Sequence, residues 1–298
     1  MEYHRSVMLQ QCIEQLAIVP EKNYIDATLG GGGHTLAIAN QLTTGQLFSF
    51  DQDLDAVQNF IGHPRVTVVW ANFSTIKQEL AHRGIFSVAG ILVDLGISAH
   101  QIDVPDRGFS FRFSGPLDMR MNTNQAQTAA IVLNEYSEED LAAVLWKYGN
   151  VPNSKKIAHL IVKYRQYKVL KDIPDLLDAL RPKIPKYHEY SFLAPIFQAI
   201  RIEVNQEIKC LHSFLEQSLE LLETGGRLVT LTYHSVEDRL VKIFMKTGNT
   251  TGSITEDLWG NKPTPFKLIT QKALIPSKKE VEENSRARSA KLRTAQKR

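Results

Sequence analysis

Four consecutive glycines stand where a strand gives way to a helix, in the stretch YIDATLGGGGHTLAIA from Tyr24 to Ala39. A β-rich run precedes them and a helical pattern follows. Because glycine has no side chain, a corner of this kind lets backbone N–H groups approach a ligand at the carboxyl edge of a parallel sheet. The feature therefore predicts an α/β fold with a ligand site directly after the first strand.

The alternation of strands and helices continues through the first third of the chain. Further strands are predicted at QLFSFDQD, RVTVVWANF and VAGILVDLG, with helices between them. This alternation predicts a doubly wound, mostly parallel sheet with helices on both faces, which is a Rossmann-like core. After Ser98 the pattern changes to a loop rich in Pro, Gly and Phe, followed by helical segments around 124–147, 153–168 and 172–181.

Strand patterns return at GGRLVTLTYHSVEDRL, where Gly225 and Gly226 are predicted to end a helix and SVED to cap the next one. A last strand is predicted in FKLITQKAL, before a basic tail. The chain thus divides into a core of residues 1–103 and 206–298 and an all-helical insertion of residues 104–205.

Length and composition exclude several classes of protein. With 298 residues and 43% hydrophobic side chains, the chain can bury one large core or two smaller ones. The charged residues among the first twenty fit neither a signal peptide nor a spanning helix, so we expect a cytoplasmic protein without a membrane partner. Cys12 and Cys210 lack CxxC spacing and the nine histidines form no HxxxH pair, so we expect neither a disulfide framework nor a metal site.

The spacing of the glycines separates two cofactors that bind at such a corner. A dinucleotide loop, G-x-G-x-x-G, fails because the sixth position counted from Gly30 is Thr35. An acid at the strand end followed by spaced glycines, Asp26 with Gly30 and Gly32, is similar to the D-x-G-x-G-x-G loop of S-adenosylmethionine-dependent methyltransferases. Thr28 stands in place of the first glycine. The predicted cofactor is S-adenosyl-L-methionine.

The other strand ends carry residues that suit this cofactor. Asp51 ends the second strand and can accept both ribose hydroxyls, with Asp53 as a nearby rival. Asn72 and Phe73 follow the third strand, where an adenine could pack, and Asp94 ends the fourth, beside the reacting methyl. The alternative for each is ordinary structure, a turn cap for the aspartates and core packing for Phe73. Together the four strand ends indicate one crevice.

At this point the sequence resembles a known family, the 16S rRNA (cytosine1402-N4)-methyltransferases, which modify a decoding-centre cytidine of the small ribosomal subunit. The shared motifs are HRSVML, YIDATLGGGGH, FDQD, ILVDLGIS, DRGFSFRFSGPLDMRM, FQAIRIEVNQE, GGRLVTLTYHSVEDRLVK and NSRARSAKLR, in family order over nearly the whole chain. The resemblance implies a cofactor site lined by Gly32, Gly33, His34, Asp51, Phe73, Asp94 and Gln101. It also implies that the insertion helps to recognise RNA.

Three departures from the family pattern are visible. Ala99 follows Ser98 where the family usually has a second serine, which excludes a role for that hydroxyl. Pro195, in SFLAPIFQA, stands where an arginine is usual, so a phosphate contact by that arginine is in question. The segment YGNV, at 148–151, replaces the more usual YGEE.

The resemblance implies methyl transfer to the exocyclic amine of cytosine, a poor nucleophile because its lone pair is delocalised into the ring. Holding that amine in line with the methyl group can supply much of the acceleration. Asp94 and Ser98 are predicted to accept the N4 hydrogens, and His234, at the end of a core strand, is a third catalytic candidate. Neither cysteine lies in a Pro-Cys loop, so N-methylation fits better than covalent activation for carbon-5 methylation.

Three regions are candidates for contacting RNA, each with a structural alternative. In the loop GPLDMRM an Asp–Arg pair could reach the target base or simply lock the loop. The segment 147–171 carries seven Lys or Arg and no acid, and helical spacing places several of them on one face, which is either an RNA surface or a solvated one. The basic tail could bind rRNA or be a disordered end, and the family resemblance implies that it also folds back onto the core. The candidate contacts are Asp118, Arg120, Lys156, Lys163, Tyr167, Arg286 and Arg288.

Other functions stay open on the sequence alone. A nicotinamide-dependent oxidoreductase would use a similar sheet, although the glycine spacing disfavours it. A non-catalytic ribosome assembly factor that binds RNA is compatible with Ala99 and the altered SFLAPIFQA stretch, and another methyl acceptor is excluded only by the resemblance. The expected partner is 16S rRNA in an assembled or nearly assembled small subunit, and a homodimer is left open.

Overall fold

The computed structural model describes residues 6–253 and 263–298, and the chain divides into two compact units. The first unit comprises Met1–Gly96 and Ile208–Arg298, and the second comprises Ile97–Glu207. The sequence analysis placed the corresponding boundaries at residues 104 and 205. The first two residues of the HRSVML motif lie outside the described residues.

A seven-stranded sheet forms the centre of the first unit. Its strands are β1 (Tyr24–Asp26), β2 (Leu47–Asp51), β3 (Val66–Trp70), β4 (Val88–Asp94), β5 (Leu222–Thr232), β6 (Phe266–Leu268) and β7 (Lys291–Lys297). The order is β3-β2-β1-β4-β5-β7-β6, with β1 to β5 parallel and β7 antiparallel to both of its neighbours. The predicted doubly wound, mostly parallel sheet is confirmed, and the antiparallel β7 distinguishes it from the dinucleotide-binding order 3-2-1-4-5-6.

Helices precede, follow and connect these strands. They are α1 (Leu9–Leu16), α2 (Gly33–Ala39), α3 (Leu54–Asn59), α4 (Ile76–Ala81), α5 (Ala99–Asp103), α6 (Ala129–Glu135), α7 (Glu138–Gly149), α8 (Ser154–Arg165), α9 (Ile173–Leu180), α10 (Glu189–Val204), α11 (Glu207–Leu221), α12 (Ser235–Thr247) and α13 (Lys278–Glu283). Among the described residues, no helix combines the length and the apolar character that a membrane crossing requires.

The central strands are apolar along their whole length because both faces of the sheet are covered. Successive side chains point to opposite faces, so Ile25 and Ile91 join one core with Phe214 of α11, whereas Tyr24 and Leu92 join the other core. All five side chains are at most 1% exposed. This packing fixes the register of β1 and β4, and with it the position of the polar residues that follow them.

The second unit is helical and has a core of its own, to which α6 to α10 contribute. The helix predicted around 124–147 is two helices, α6 and α7, separated at Tyr136 and Ser137, and the Ser137 hydroxyl caps α7. Helices α7 and α10 approach closely at Gly149, where a Cβ would lie 2.4 Å from the carbonyl oxygen of Pro195. Pro195, the departure noted above, lies inside α10.

At the end of the chain one prediction was wrong and one structural alternative is excluded. Gly225 does not end a helix, because α11 already ends at Leu221 and Gly225, with φ of +85°, lies within β5. The last residues are not a free basic end. Lys291–Lys297 form β7, which pairs with β5 on one side and β6 on the other.

Candidate active site

Asp51 joins the glycine loop to the end of β2. Its Oδ2 accepts the N–H of Gly30 at 2.8 Å, and its Oδ1 accepts the N–H of Asp53 at 2.9 Å. Burial raises the pKa of Asp51 to about 6, although the two amide donors oppose that rise. The rival Asp53 is only 3% exposed and caps α3 by accepting the N–H of Asp55. Asp51 is therefore the acidic side chain fixed in orientation beside the loop, and Asp53 has a structural role.

The four glycines serve different needs. Gly30 and Gly32 have φ of +48° and +78°, a region that side chains disfavour. A Cβ at Gly33 would lie 2.2 Å from Oγ of Ser6, so only glycine lets the N-terminal segment pass there. A Cβ at Gly30 or Gly31 would meet nothing within 4 Å. The loop therefore leaves unoccupied space next to Asp51, and a bound ligand would need such space.

Asp26, the acid that ends β1, holds the loop from inside. It is fully buried, its Oδ2 accepts the hydroxyl of Thr35 at 2.6 Å, and its Oδ1 accepts the N–H of Thr28 at 3.2 Å. Burial raises the pKa of Asp26 to about 6. The motif's first acid therefore fastens the loop to α2, and its carboxylate does not face solvent.

This raised pKa predicts a pH-dependent loss of stability. A carboxyl group whose folded pKa lies above its unfolded value stabilises the fold fully below the unfolded pKa, near 4, and that contribution is lost as pH rises through the folded pKa, about 6. The shift corresponds to ~3 kcal/mol. We expect Asp26→Asn, which cannot ionise, to gain about that much free energy of unfolding relative to the parent between pH 4 and pH 7.

Urea denaturation of the cofactor-free protein and the variant at both pH values measures this difference. The Asp26 charge also raises the pKa of Asp51, so Asp26→Asn lowers the pKa of Asp51, and the measured difference contains this smaller contribution in the same direction. Equal pH dependence of the two proteins would contradict the assignment.

Asp94 ends β4 between two polar side chains. The hydroxyl of Tyr233 donates to its Oδ1 at 2.7 Å, and Nδ1 of His34 lies 3.8 Å from its Oδ2. Nε2 of His34 lies 3.1 Å from the carbonyl oxygen of Val7, which can only accept, so Nε2 carries a hydrogen. Burial raises the pKa of Asp94, and His34 and Tyr233 oppose that rise. The cluster is suited to holding and exchanging one proton.

The turn after β3 has a clear structural account. Asn72 accepts the N–H of Ser74 at 2.9 Å, and its amide donates to Gln52 Oε1 at 2.7 Å. Phe73 packs edge-on against Phe214, with ring centroids 5.3 Å apart. The packing alternative for Phe73 therefore has support, and its contact with an adenine stays a prediction.

His234 has a structural role that the sequence analysis assigned to its neighbour. The predicted cap was Ser235, but α12 begins at Ser235 and His234 is its N-cap. Nδ1 of His234 accepts the N–H of Glu237 at 3.4 Å, and its Nε2 lies 2.8 Å from Glu237 Oε1. The approach of Nε2 to Glu237 lacks hydrogen-bond geometry, so this buried nitrogen has no hydrogen-bond partner among the described residues, and a catalytic role for His234 stays a prediction.

Ser98 and Gln101 belong to the second unit and form a capping box at the start of α5. The Ser98 hydroxyl accepts the N–H of Gln101 at 3.2 Å, and Oε1 of Gln101 accepts the N–H of Ser98 at 3.1 Å. Gln101 is only 4% exposed, and Ala99, beside them, is 9% exposed. Both predicted site residues thus have a helix-capping function, and their contacts with cofactor or base stay predictions.

Asp118 and Arg120 lock their own loop. Nε and one terminal nitrogen of Arg120 donate to the two oxygens of Asp118, at 2.9 and 2.7 Å. The other terminal nitrogen donates to the carbonyl oxygens of Thr123 and Gln125. These hydrogen bonds support the structural alternative for this pair, which is that the two side chains hold the loop in place.

The predicted basic face of α8 is only partly as expected. Lys156 and Lys163 are exposed and Ile157 and Ile161 are buried, as the helical spacing indicates. Tyr167 does not continue this face, because α8 ends at Arg165, although its ring is 83% exposed.

The two tail arginines differ. Arg288 is exposed, whereas Arg286 is half-buried and its N–H donates to Asn284. Their segment, Ser285–Ser289, is a short 3₁₀ helix that leads into β7.

Tyr233 is the site residue that the sequence analysis missed. It directly follows β5, and β5 pairs with β4 so that Leu231 lies opposite Asp94. That adjacency was the available signal, because a polar residue just beyond the end of a neighbouring parallel strand reaches the same edge of the sheet. The hydroxyl of Thr28, the loop's departure from glycine, also has a role, since it accepts the N–H of Asp94 at 2.8 Å.

Sequence comparison finds relatives that match this chain over nearly its full length. A ribosomal RNA small subunit methyltransferase H from Parabacteroides distasonis is 48% identical over 99% of this chain and 97% of its own length. Its namesake from Flavobacterium johnsoniae is 47% identical over 100% and 98%. An rRNA methylase structure from Streptococcus thermophilus aligns with 97% of this chain and 93% of its own, but a TM-score of 0.40 at 12% identity carries no weight. The model of the MraW methylase family matches residues 1–298, and the chain belongs to that family.

Proposed function

We propose that this protein transfers the methyl group of S-adenosyl-L-methionine to N4 of cytidine 1402 in the decoding centre of 16S rRNA. The observation that carries the proposal is the proton-holding cluster at the end of β4, Asp94 with His34 and Tyr233, beside an open glycine loop. The relatives named as small-subunit rRNA methyltransferases, which match nearly end to end, support the same substrate.

The residues present fit the proposed cofactor. Asp51 offers a carboxylate for ribose hydroxyls, and the open ground at Gly30 and Gly31 offers room beside it. The bound cofactor supplies an activated sulfonium methyl group, so the protein need not activate the donor. By resemblance we also assign to its site Gly32, Gly33, His34, Phe73, Asp94 and Gln101.

The acceptor amine is where this chain's own groups act. As the nitrogen gains a methyl group it becomes positively charged, and it returns to neutrality by losing one proton. We assign Asp94 as the acceptor of that proton, because burial raises its pKa and makes it a stronger base than an exposed carboxylate. Tyr233 and His34 hold the carboxylate in orientation. Ser98 remains the predicted second acceptor for the amine, and His234, the N-cap of α12, remains the third catalytic candidate.

RNA contacts are proposed where basic side chains are exposed. These are Lys156 and Lys163 on α8, with Tyr167 just beyond it and Arg288 before β7. Exposed lysines can neutralise phosphates without any change in the fold. Asp118 and Arg120, by contrast, would first have to break their mutual contacts. A substrate of this kind would place the enzyme in the cytoplasm. A homodimer remains a prediction that light scattering can test.

The decisive experiment uses small ribosomal subunits from cells lacking the modification. The purified protein and labelled S-adenosylmethionine are added, and the rRNA is digested and its nucleosides analysed. We expect N4-methylcytidine at the decoding centre, with no label in 5-methylcytidine. Label in another nucleoside would change the acceptor, and cofactor binding without any transfer would favour a binding-only assembly factor.

A further inference from the structure

Two tyrosines at the start of α10, one just before the helix and one in its first turn, are largely exposed to solvent. Tyr187 is 90% exposed and Tyr190 is 70% exposed, in the segment RPKIPKYHEY from Arg181 to Tyr190. A tyrosine ring usually buries much of its apolar area, either in a core or against a partner. Two exposed rings three residues apart along the chain therefore indicate a surface that binds a partner or ligand.

A neighbouring loop extends this aromatic surface. Phe111 contacts Tyr190, with ring centroids 5.4 Å apart, and is itself held by Phe197 of α10 at 5.2 Å. The next two residues of that loop, Arg112 and Phe113, are exposed, and the guanidinium of Arg112 lies 5.7 Å from the centroid of the Phe113 ring. Phe111 thus anchors Tyr190 to a second exposed ring with a cation beside it.

Basic side chains precede the tyrosines in the chain. Lys183 and Lys186 are exposed within the same segment. Lys183 also lines a groove of about 370 Å³ that is shared with α8. The other residues lining this groove are Glu138, Lys155, Lys156, His159 and Leu160. Lys183 therefore connects the groove on α8 with the segment that carries the tyrosines.

We propose that Phe113, Tyr187 and Tyr190 form a stacking surface for unpaired bases of the RNA substrate, with Lys183 and Lys186 on the neighbouring phosphates. Exposed rings interleaved with basic side chains are what single-stranded nucleic acid requires, because every unpaired base offers a face for stacking and every linkage carries a negative charge. Duplex RNA hides its base faces, so the surface discriminates against it. This inference rests on the proposed function and specifies how that substrate is held.

The test measures binding of a fluorescein-labelled single-stranded RNA of mixed sequence, about ten nucleotides long, and of a duplex of the same length. We expect tight binding of the single strand only, and about tenfold weaker binding in Tyr187→Ala. Tyr187→Phe retains the ring and should bind like the parent, whereas Tyr187→Leu retains apolar area without a stacking face and should bind like Tyr187→Ala. Phe86→Ala removes a ring that is 73% exposed in the first unit and is the matched control.

The same variants are then assayed for methyl transfer to small subunits. We expect KM for subunits to rise in Tyr187→Ala with kcat unchanged, because stacking holds substrate and transition state equally. Equal affinity of parent and Tyr187→Ala, equal binding of Tyr187→Leu and Tyr187→Phe, or equal binding of duplex and single strand would each overturn the inference. An absence of methyl transfer by the parent would overturn the proposed function instead, and the binding results would stand independently of it.

Discussion

Asp94→Asn is expected to lower kcat for methyl transfer by about 10²–10⁴-fold, the range typical of losing a positioned acid–base group. The asparagine retains the size of the side chain and can still accept the hydrogen bond from Tyr233, but it cannot take the proton that the methylated amine loses. The measurement is kcat at saturating cofactor and saturating subunits, with cofactor affinity measured separately by calorimetry. A variant that binds cofactor and retains kcat within about threefold of the parent would exclude Asp94 as the proton acceptor.

Tyr233→Phe is the matched control, because it removes only the hydrogen bond to Asp94. That bond lowers the pKa of Asp94, so its loss raises the pKa further. The carboxylate is the active form, and protonation inactivates it as pH falls. The acid limb of the pH–rate profile should therefore move to higher pH in Tyr233→Phe, with the plateau rate largely retained. A limb that stays in place would show that the titrating group is not Asp94.

The residues at the carboxyl edge of the sheet, where the cofactor is proposed to bind, were predictable from sequence. Parallel strands bring residues that are distant in the chain to this same edge. Asp51 and Asp94 are 43 positions apart, from the difference of their residue numbers, yet each ends a strand next to β1. A run of apolar residues that stops at an acid therefore locates the acid in space as well as in sequence. The glycines alone could not locate a ligand site, since Gly30, Gly32 and Gly33 are required for backbone and packing reasons.

The roles of individual polar groups were less predictable, because they depend on side-chain directions that the sequence pattern leaves free. Ser235 and Asp238 match a capping box, but the backbone of His234 is extended, with φ of −135° and ψ of 162°, and its imidazole takes the cap position. Tyr167 matches the spacing of α8, but the helix stops two residues earlier. In each case local periodicity predicts the element and tertiary packing decides its last residues.

The strand β7 was missed because its sequence reads as a charged tail. In KLRTAQK only Leu292 is strongly apolar, and what buries the strand is pairing with residues some 60 positions away. The charges are neutralised within the first unit. Arg293 donates to both oxygens of Asp238, at 2.7 and 3.2 Å, and Lys297 donates to two carbonyl oxygens, those of Leu219 and Leu222. A segment that local composition assigns to RNA binding thus completes the sheet.

Deleting residues 291–298 is therefore expected to abolish cooperative folding. Removal of β7 unpairs β5 from Arg227 to Thr232, detaches β6 and strips Leu292 and Ala295 from the two cores of the first unit. It also leaves Asp238, 9% exposed, without the two cations that lower its pKa, Arg293 and Lys291. Such a loss typically costs about 3–5 kcal/mol, against about 5–15 kcal/mol of total stability. The truncated chain should be insoluble or show no thermal transition by circular dichroism.

A full-length double variant, Arg288→Gln with Arg298→Gln, separates loss of the strand from loss of positive charge. Both arginines are exposed, so this variant should melt like the parent. Arg293→Ala is the intermediate case, since it leaves β7 in place and removes one of the two cations that pair with Asp238, while Lys291 stays 3.3 Å from its Oδ2. Its free energy of unfolding should fall by less than the ~3 kcal/mol typical of a buried charge left without a partner. If the truncated chain instead stayed soluble and melted within a few degrees of the parent, β7 would be dispensable, and its arginine and lysines would be free to bind RNA after all.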